Sequence, residues 1–330
     1  MRKSLIKVFS VICLLSTLLS LVSCQDQEEA QDNKHSETVY YTVTFNSNGG
    51  TPIESVKIQE GGHASAPEAP VLENYIFCRW ELYGEPWFFE SKRVTSDITL
   101  SAKWIPAESL LGIIPVEGGL EITEIIRQER LEVLAIPSVI NGKTVVSISD
   151  GAFENIHNEH AEQIILPNTI KKIGNEAFKG ISKSQIIFSG SVSEIGENTF
   201  AECSTLSQIT LDSVMEDIPF GAFWKCTALT AIEIPNSVKV IKEDAFSGCT
   251  ALQAIILSNS LEVIETGAFD KCSSLAVIFF KGTAEELDNI DVERNNTAIN
   301  EATVYIYSEQ KPSEDGSFWH YDENNLPVVW

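Results

Sequence analysis

The stretch AFWKCTALTAIEIPNSVKVIKEDAFSGCTALQAIIL, residues 222–257, contains the same pattern twice, with a period of 23 residues. Phe223 and Phe246 each follow an alanine, and a cysteine stands three residues after each of them. Phenylalanines recur at positions 153, 178, 200, 223, 246 and 269, all but Phe200 follow an alanine, and the last three intervals are 23 residues each. Self-similarity with a period of roughly 20 to 50 residues is typical of repeat proteins, so this repetition decides the fold.

Each repeat unit carries apolar residues at fixed distances from its phenylalanine. An isoleucine lies five residues earlier in all six units, and a second apolar residue lies eight residues earlier. A short alternating run follows each phenylalanine and adds two more apolar residues that should point inward. These pairs are Ile164 and Leu166, Ile186 and Phe188, Ile209 and Leu211, Ile232 and Ile234, Ile255 and Leu257, Ile278 and Phe280. One coil cannot bury such residues alone, whereas stacked coils form ladders of like side chains about 4.8 Å apart. The sequence therefore predicts a β-rich solenoid.

The cysteines of the repeats could serve thiol chemistry or packing. They stand at positions 203, 226, 249 and 272, and Ile156 and Ile181 fill the same slot in the first two units. Stacked cysteines would lie about 5 Å apart, which permits a disulfide, but the parallel side-chain directions of a ladder argue against one. A straight row of thiols also cannot surround a metal ion tetrahedrally. Because a plain hydrophobe suffices at this slot, we expect Cys226 and its equivalents to be buried packing residues.

The repeat unit LxxIxLPxSVxxIxxxAFxxC resembles the BspA-like leucine-rich repeat, also called the Treponema-type repeat, across roughly residues 118–280. The resemblance implies a leucine-rich-repeat solenoid, which we assign to residues 148–280. A terminal coil would expose its ladder, so residues 105–147 are expected to form an N-terminal cap. Residues 281–330 look like the C-terminal flank common to such proteins and are expected to form the other cap. Four aromatic residues of this flank are expected to cover the last coil, an aromatic sugar platform being the alternative: Phe318, Trp319, Tyr321 and Trp330.

Residues 39–104 form a separate β-rich segment with an alternating start and an Asn48-Gly49-Gly50 turn. Its elements TVTFNSNGG, YIFCRW and DITLSAKW resemble the Listeria/Bacteroides repeat, the small β-grasp-like module of internalin B repeats. Asn74 and Arg79 stand where that family commonly has glycine. We expect the aromatic residues to be the core of a small domain, not a ligand platform: Tyr75, Phe77, Trp80, Trp87, Phe88 and Phe89. The predicted fold is mainly β, a small β-grasp-like module followed by a leucine-rich-repeat solenoid with terminal caps.

The N-terminus has the layout of a secretory signal, three cations followed by an apolar run over residues 8–22. The run ends in LVSC, which resembles the bacterial lipobox and implies a lipoprotein signal peptide over residues 1–23 with Cys24 acylated. An ordinary cleaved signal that contains a cysteine is the alternative. Residues 25–38 lack apolar side chains beyond one alanine, so residues 24–38 are expected to form an acidic disordered tether.

Without the signal, 20 basic residues face 47 acidic ones, a net charge of −27 that argues against nucleic-acid and anionic-lipid partners.

The sequence contains few signs of enzyme chemistry. The close histidine pair HNEH, residues 157–160, fits neither zinc-protease spacing and is expected in an exposed loop. No nucleophile elbow, phosphate-binding glycine loop or CxxC pair occurs in the sequence. We therefore expect no catalytic residue, no metal site and no cofactor, and no enzyme activity.

A binding role points to the residues that face outward from the alternating runs. Six positions form this row, and they are the candidate ligand-binding residues: Ile165, Ile187, Thr210, Glu233, Ile256 and Phe279. Four of the six are large and apolar, and an exposed apolar strip on a solenoid often marks a partner contact. The alternative is that flanking side chains cover them.

The family resemblance implies a cell-surface lipoprotein that adheres to host matrix proteins or to other cells through its repeats. Its expected partners are an extracellular protein or glycan, and the membrane through the lipid on Cys24. The expected location is the outer membrane, exposed at the surface. A structural or assembly component of the cell envelope is the competing hypothesis, and a carbohydrate-active enzyme subunit is a remote third.

Overall fold

A computed structural model describes residues 38–126, 131, 133–154, 163–181, 185–188, 190, 192–211, 214–313 and 316–330. The predicted signal peptide, the tether up to Glu37, Cys24, Ile156 and the HNEH pair lie outside these residues. Strands dominate the described part, and its helices are three short ones. The mainly β fold predicted from the sequence is confirmed.

The first unit is a five-stranded sheet. Its strands are β1 (Tyr40–Asn46), β2 (Val56–Gln59), β3 (Tyr75–Leu82), β4 (Glu85–Pro86) and β5 (Ile98–Pro106). They are arranged in the order β2-β1-β5-β3-β4, with β1 parallel to β5 and the other pairs antiparallel. A parallel central pair with antiparallel flanks is the arrangement expected of a β-grasp-like module.

The core of this module contains most, but not all, of the aromatic residues assigned to it. Phe77, Trp80 and Trp87 are buried, and the Trp80 ring lies 5.0 Å from that of Phe45. Tyr75 and Phe88 are 40% and 47% exposed, so their assignment to the core was wrong. Tyr75 begins its strand at the end of the sheet, and Phe88 stands between the inward Trp87 and the half-buried Phe89.

The solenoid follows through α1 (Ala107–Leu110) and β6 (Leu111–Val116) and consists of two parallel ladders. Ladder A comprises β7 (Gly119–Ile125), β10 (Lys143–Ile148), β12 (Lys172–Ile173), β14 (Glu194–Ile195), β15 (Asp217–Ile218), β17 (Val240–Ile241), β19 (Val263–Ile264) and β21 (Asp291–Val292). Ladder B comprises β8 (Val133–Ala135), β11 (Gln163–Leu166), β13 (Gln185–Phe188), β16 (Ala231–Glu233), β18 (Ala254–Leu257), β20 (Val277–Phe280) and β22 (Thr303–Tyr307). Both ladders are interrupted near the coil of Phe200, so each falls into two sheets.

Coil-forming strands continue into both segments that the sequence assigned as caps. β7 and β8 pair in parallel with β10 and β11, and β21 and β22 pair in parallel with β19 and β20. The stack of coils thus extends beyond residues 148–280, because these flanking strands satisfy the edges of the ladders. The N-terminal edge is closed by β6, which is antiparallel to β7. A short strand, β9 (Val139–Ile140), pairs with β10 near this edge. The C-terminal end of the chain adds α2 (Ala284–Asp288), α3 (Thr297–Glu301), β23 (Phe318–Tyr321) and β24 (Pro327–Val329).

A continuous stack of phenylalanine rings runs through the solenoid core. The six buried rings at positions 153, 178, 200, 223, 246 and 269 lie 5.1–5.6 Å apart, with interplanar angles of 5–13°. The first five donate their backbone N–H to a carbonyl of the next coil. For Phe269 the acceptor is the side-chain oxygen of Asn296, 3.0 Å away. In this last coil Asn296 thus supplies the acceptor that a backbone carbonyl supplies in the other coils, and the stack of rings ends at Phe269.

The module and the solenoid share a hydrophobic core. Ile76 and Cys78, from β3, belong to the same buried cluster as Ala107, Leu110 and Leu111 at the start of the solenoid. The opposite side of β3 supplies Phe77 and Trp80 to the core of the module itself. The module therefore covers the N-terminal end of the coil stack.

Candidate functional site

The outward face of ladder B brings most of the candidate binding residues into one row. Ile165 pairs with Ile187, while Glu233 pairs with Ile256, which in turn pairs with Phe279. Thr210 lies where the ladder is interrupted, between β13 and β16. The predicted row is thus formed by neighbouring strands, but its six residues differ greatly in accessibility.

The C-terminal part of the row is covered by the last strands of the chain. Ile256 and Phe279 are 3% and 8% exposed and belong to a small outer core around Trp319, which is fully buried. The Trp319 ring lies 5.2 Å from that of Phe279, although β22 separates their strands. Its indole N–H donates to the carbonyl of Phe280, 3.0 Å away. Covering by flanking side chains, the alternative considered above, therefore holds for Ile256 and Phe279, and neither is accessible to a partner.

The predicted cap residues do not all take part in this cover. Trp319 and Tyr321 lie over the row, whereas Trp330 is 39% exposed and stacks on His320 with ring centroids 3.6 Å apart. Phe318 is half-buried and lines a groove with Ile306 beside α2. β23 continues the sheet of ladder B beyond β22, and Trp319 and Tyr321 lie along the outward face of this sheet.

Glu233 marks the polar boundary of the covered part. One of its carboxylate oxygens accepts from the Lys281 ammonium at 2.6 Å and from the Tyr321 hydroxyl at 3.3 Å. Burial, followed by the negative charge of Glu233, raises the pKa of Tyr321. The phenol therefore stays protonated and keeps its role as donor.

The N-terminal part of the row is covered only at its first strand. Val133, in β8, packs against the core of the β-grasp-like module. Between the module and the C-terminal cover lie outward residues that we call the open window, and those whose side chains the structure describes are Gln163, Ile165, Ile187, Gln208 and Thr210. The two isoleucines are half-buried, and Gln208 and Thr210 are exposed. Such a surface, with an apolar centre and amide and hydroxyl groups around it, can bind a partner.

The repeat cysteines are packing residues, as predicted. Cys203, Cys226, Cys249 and Cys272 are buried and form no disulfide. Each thiol donates to the backbone carbonyl of a phenylalanine in the preceding coils, at 2.9–3.1 Å. Burial raises the pKa of Cys203 and of Cys272 to about 12, and it raises the pKa values of Cys226 and Cys249 well above the usual value. These thiols are therefore poor nucleophiles.

The described residues were also searched for metal-binding groups and for membrane-spanning helices. Among the residues that the structure describes, no group of three or more His, Cys, Asp or Glu side chains is placed to hold a metal ion. In the same part of the chain, no helix has the length and apolarity needed to cross a membrane.

Sequence reasoning missed two aromatic residues on the surface of one coil. Phe220 is 38% exposed and Trp224 is half-buried, with the Lys225 ammonium 3.9 Å from the centre of the Trp224 ring. A comparison of equivalent positions in the repeat would have found them. The other five units have Asp, Asn, Glu or Thr at the slot of Phe220, and Glu, Lys, Ala, Ser or Asp at that of Trp224.

Comparisons with known families identify both parts of the chain. The description "BspA type Leucine rich repeat region" matches in six copies over residues 124–230 and 216–303. The description "Listeria-Bacteroides repeat domain" matches residues 41–103.

Comparisons with individual proteins found partial relatives. A "putative membrane protein" and a "putative Gly-rich membrane protein" of Evansella cellulosilytica are 35% and 33% identical over 88 residues, 26% of this chain. The chain spans only 13% and 10% of the lengths of these relatives. Among solved structures, a T. pallidum leucine-rich repeat protein is 28% identical, with a TM-score of 0.47. The match covers 53% of this chain and 80% of the T. pallidum chain. The pneumococcal vaccine antigen PcpA is 18% identical, with a TM-score of 0.36, covering 52% of this chain and 62% of its own.

Proposed function

The chain belongs to the BspA type leucine-rich repeat family, and we propose that it is a bacterial cell-surface lipoprotein whose solenoid binds a protein or glycan partner. The contact we propose is the open window, and the role is adhesion to host matrix or to other cells. Members of this repeat family are typically binding proteins without catalytic activity. We extend the same role to this chain.

One observation supports the window above other parts of the surface. The outward face of ladder B is covered by the module at one end and by Trp319 and Tyr321 at the other, and the window between them is left open. Ile165 and Ile187 pair directly across neighbouring strands, so their side chains form one apolar patch. Apolar residues that stay accessible while their equivalents are covered are typical of an interaction surface.

The test replaces Ile165 and Ile187 with serine in the full chain and measures binding to immobilised host matrix proteins and to whole cells. We expect binding to fall by about tenfold or more, since two central contacts of an interface are lost. Ile114→Ser is the matched control, because Ile114 is 44% exposed on β6, outside the window. Unchanged binding by the double variant, at an unchanged unfolding temperature, would contradict the proposal.

The location is the second part of the proposal. Its support is the lipobox-like LVSC, residues 21–24, after a short apolar run. We expect Cys24→Ser to abolish incorporation of labelled palmitate into the protein. Protease treatment of intact cells should release the repeats of the unchanged protein. Repeats that stay protected on intact cells would instead favour a structural component of the envelope.

A further inference from the structure

The coil of Phe223 differs from the other coils at three surface slots. Val214, Phe220 and Trp224 occupy positions where the other units carry polar or small residues. At the slot of Val214 the other five units have only Thr or Ser: Thr144, Thr169, Ser191, Ser237 and Ser260. Val214 is 62% exposed and Phe220 is 38% exposed. Since the same turn is built in the other coils without these side chains, folding does not require them.

Phe220 and Trp224 lie on either side of one tight turn. The turn is closed by a hydrogen bond of 2.9 Å from the Trp224 backbone N–H to the carbonyl of Gly221. The neighbouring coils are joined to it directly, since Asn198 donates to the Phe220 carbonyl and Gly221 donates to that of Glu243. The two aromatic side chains are therefore held on a rigid part of the solenoid.

The surroundings of this aromatic pair are acidic. Glu197 and Glu243, both exposed, occupy the slot of Phe220 in the preceding and the following coil. Glu202 lies in the preceding coil and pairs with Lys225 at 3.2 Å. The surface thus combines aromatic rings with carboxylates, which together favour a positively charged ligand.

Lys225 shows how a cation binds at this place. Its ammonium lies 3.9 Å from the centre of the Trp224 ring and 3.2 Å from a Glu202 oxygen. Lys225 has a left-handed backbone with φ of 56°, and its side chain is half exposed. An exposed lysine pays side-chain entropy to stay in one position, so a cation from a partner can replace it at small cost.

We propose that Phe220, Trp224 and the glutamates around them form a second interaction surface, distinct from the open window, which docks a basic polypeptide segment of a partner protein. An arginine of the segment stacks on Trp224 in place of Lys225 and pairs with Glu202. Apolar side chains of the segment contact Phe220. Arginine suits this position because its planar guanidinium stacks on an aromatic ring and pairs with a carboxylate at the same time.

The test uses the double variant Phe220→Glu with Trp224→Ser. These residues occur at the same slots in the following coil, as Glu243 and Ser247, so the variant keeps the sequence pattern of the repeat. The probe is a fluorescent peptide that repeats arginine, leucine and serine, and its binding to the full chain is measured by anisotropy at physiological salt. We expect affinity to fall by about tenfold, as for the loss of a cation–π contact and its neighbouring apolar contact.

The design separates docking from general charge attraction. Phe220→Glu adds a negative charge, so attraction to the acidic protein as a whole predicts tighter binding, whereas docking predicts weaker binding. Gln253→Glu, at an exposed residue of the next coil, adds the same charge and should bind the peptide as well as the unchanged protein or better. Equal or tighter binding by the double variant would overturn the proposal. So would equal binding of a citrulline peptide, since citrulline lacks the charge. Binding through the open window should be unaffected by the double variant, so the two proposals fail separately.

Discussion

At the scale of single residues, the repeat cysteines show that a row of thiols can be a packing device. Each thiol fills a buried slot and donates to a phenylalanine carbonyl, as at the 3.1 Å contact between Cys226 and Phe200. The slot accepts a hydrophobe, since Ile181 occupies it in an earlier coil and is buried there. The hydrogen bond is therefore secondary to burial at this position.

The buried thiols predict that stability falls at high pH. Their folded pKa values lie above the usual 9.0, at about 12 for Cys203 and Cys272. Above about pH 9 the thiols of the unfolded chain lose protons that the folded chain retains, so the unfolded state is favoured. Urea unfolding in reductant should therefore give a lower free energy of unfolding at pH 10 than at pH 8. Replacing the four repeat cysteines with alanine should reduce this difference, and an equal difference in that variant would refute the assignment.

We expect that substitution of one buried polar residue, Asn296, lowers the free energy of unfolding strongly. Its side chain accepts from Phe269 and donates to the carbonyls of Glu265 and Glu293, both at 2.9 Å, and it is 1% exposed. Asn296→Leu keeps the branching of the side chain but removes these bonds, and it should lower the free energy of unfolding by about 3 kcal/mol. Chemical denaturation measures the change. Asn300→Ala, at an exposed residue of α3, is the control and should change the stability little.

At the scale of the repeat element, two left-handed positions flank each phenylalanine turn. The residue two before the phenylalanine has φ between 53° and 68° in all six units, and it is glycine in only three of them. The residue two after it has φ between 56° and 77° in each of the five units where it is described. The turn geometry is thus kept by stacking, whichever residue the sequence supplies.

At these left-handed positions, introducing a glycine should raise the stability of the protein, and replacing a glycine should lower it. Lys271 has φ of 58° and a side chain that is 78% exposed, so Lys271→Gly should raise stability by up to about 1 kcal/mol. Gly267 has φ of 68°, and Gly267→Ala should lower stability by about 1 kcal/mol. Thermal unfolding distinguishes the two. A loss of stability in Lys271→Gly would show that its exposed ion pair with Asp270 outweighs backbone strain.

The C-terminal cover predicts an effect far from its own sequence position. Trp319→Ala removes the ring that buries Phe279 and should cost about 3 to 5 kcal/mol. It should also expose Ile256 and Phe279, which a rise in binding of a hydrophobic dye would report. Trp330→Ala, at an exposed ring, is the matched control and should give little dye binding.

At the scale of the whole molecule, the shared core makes the module part of the solenoid's stability. Ile76, from the module, is fully buried in the core cluster that contains Leu110 and Leu120 of the solenoid. Ile76→Ala should therefore lower hydrogen-exchange protection in β7 as well as in the module. Val94→Ala is the control, because Val94 is buried in the module's own core and should leave β7 protected. Equal protection of β7 in both variants would show that the two units are independent.

The solenoid, its two ladders and the packing role of its cysteines could be predicted from the pattern of residues. These features repeat because each coil makes the same contacts with the next, and a repeated contact leaves a repeated residue, as at Phe223 and Phe246. The accessibility of the outward residues could not be predicted from that pattern. Ile165 and Ile256 occupy the same slot, yet one lies in the open window and the other lies under the cover of Trp319 and Tyr321. That difference arises from a contact between residues more than sixty positions apart, made once in the molecule, and the pattern of the repeat contains no trace of it.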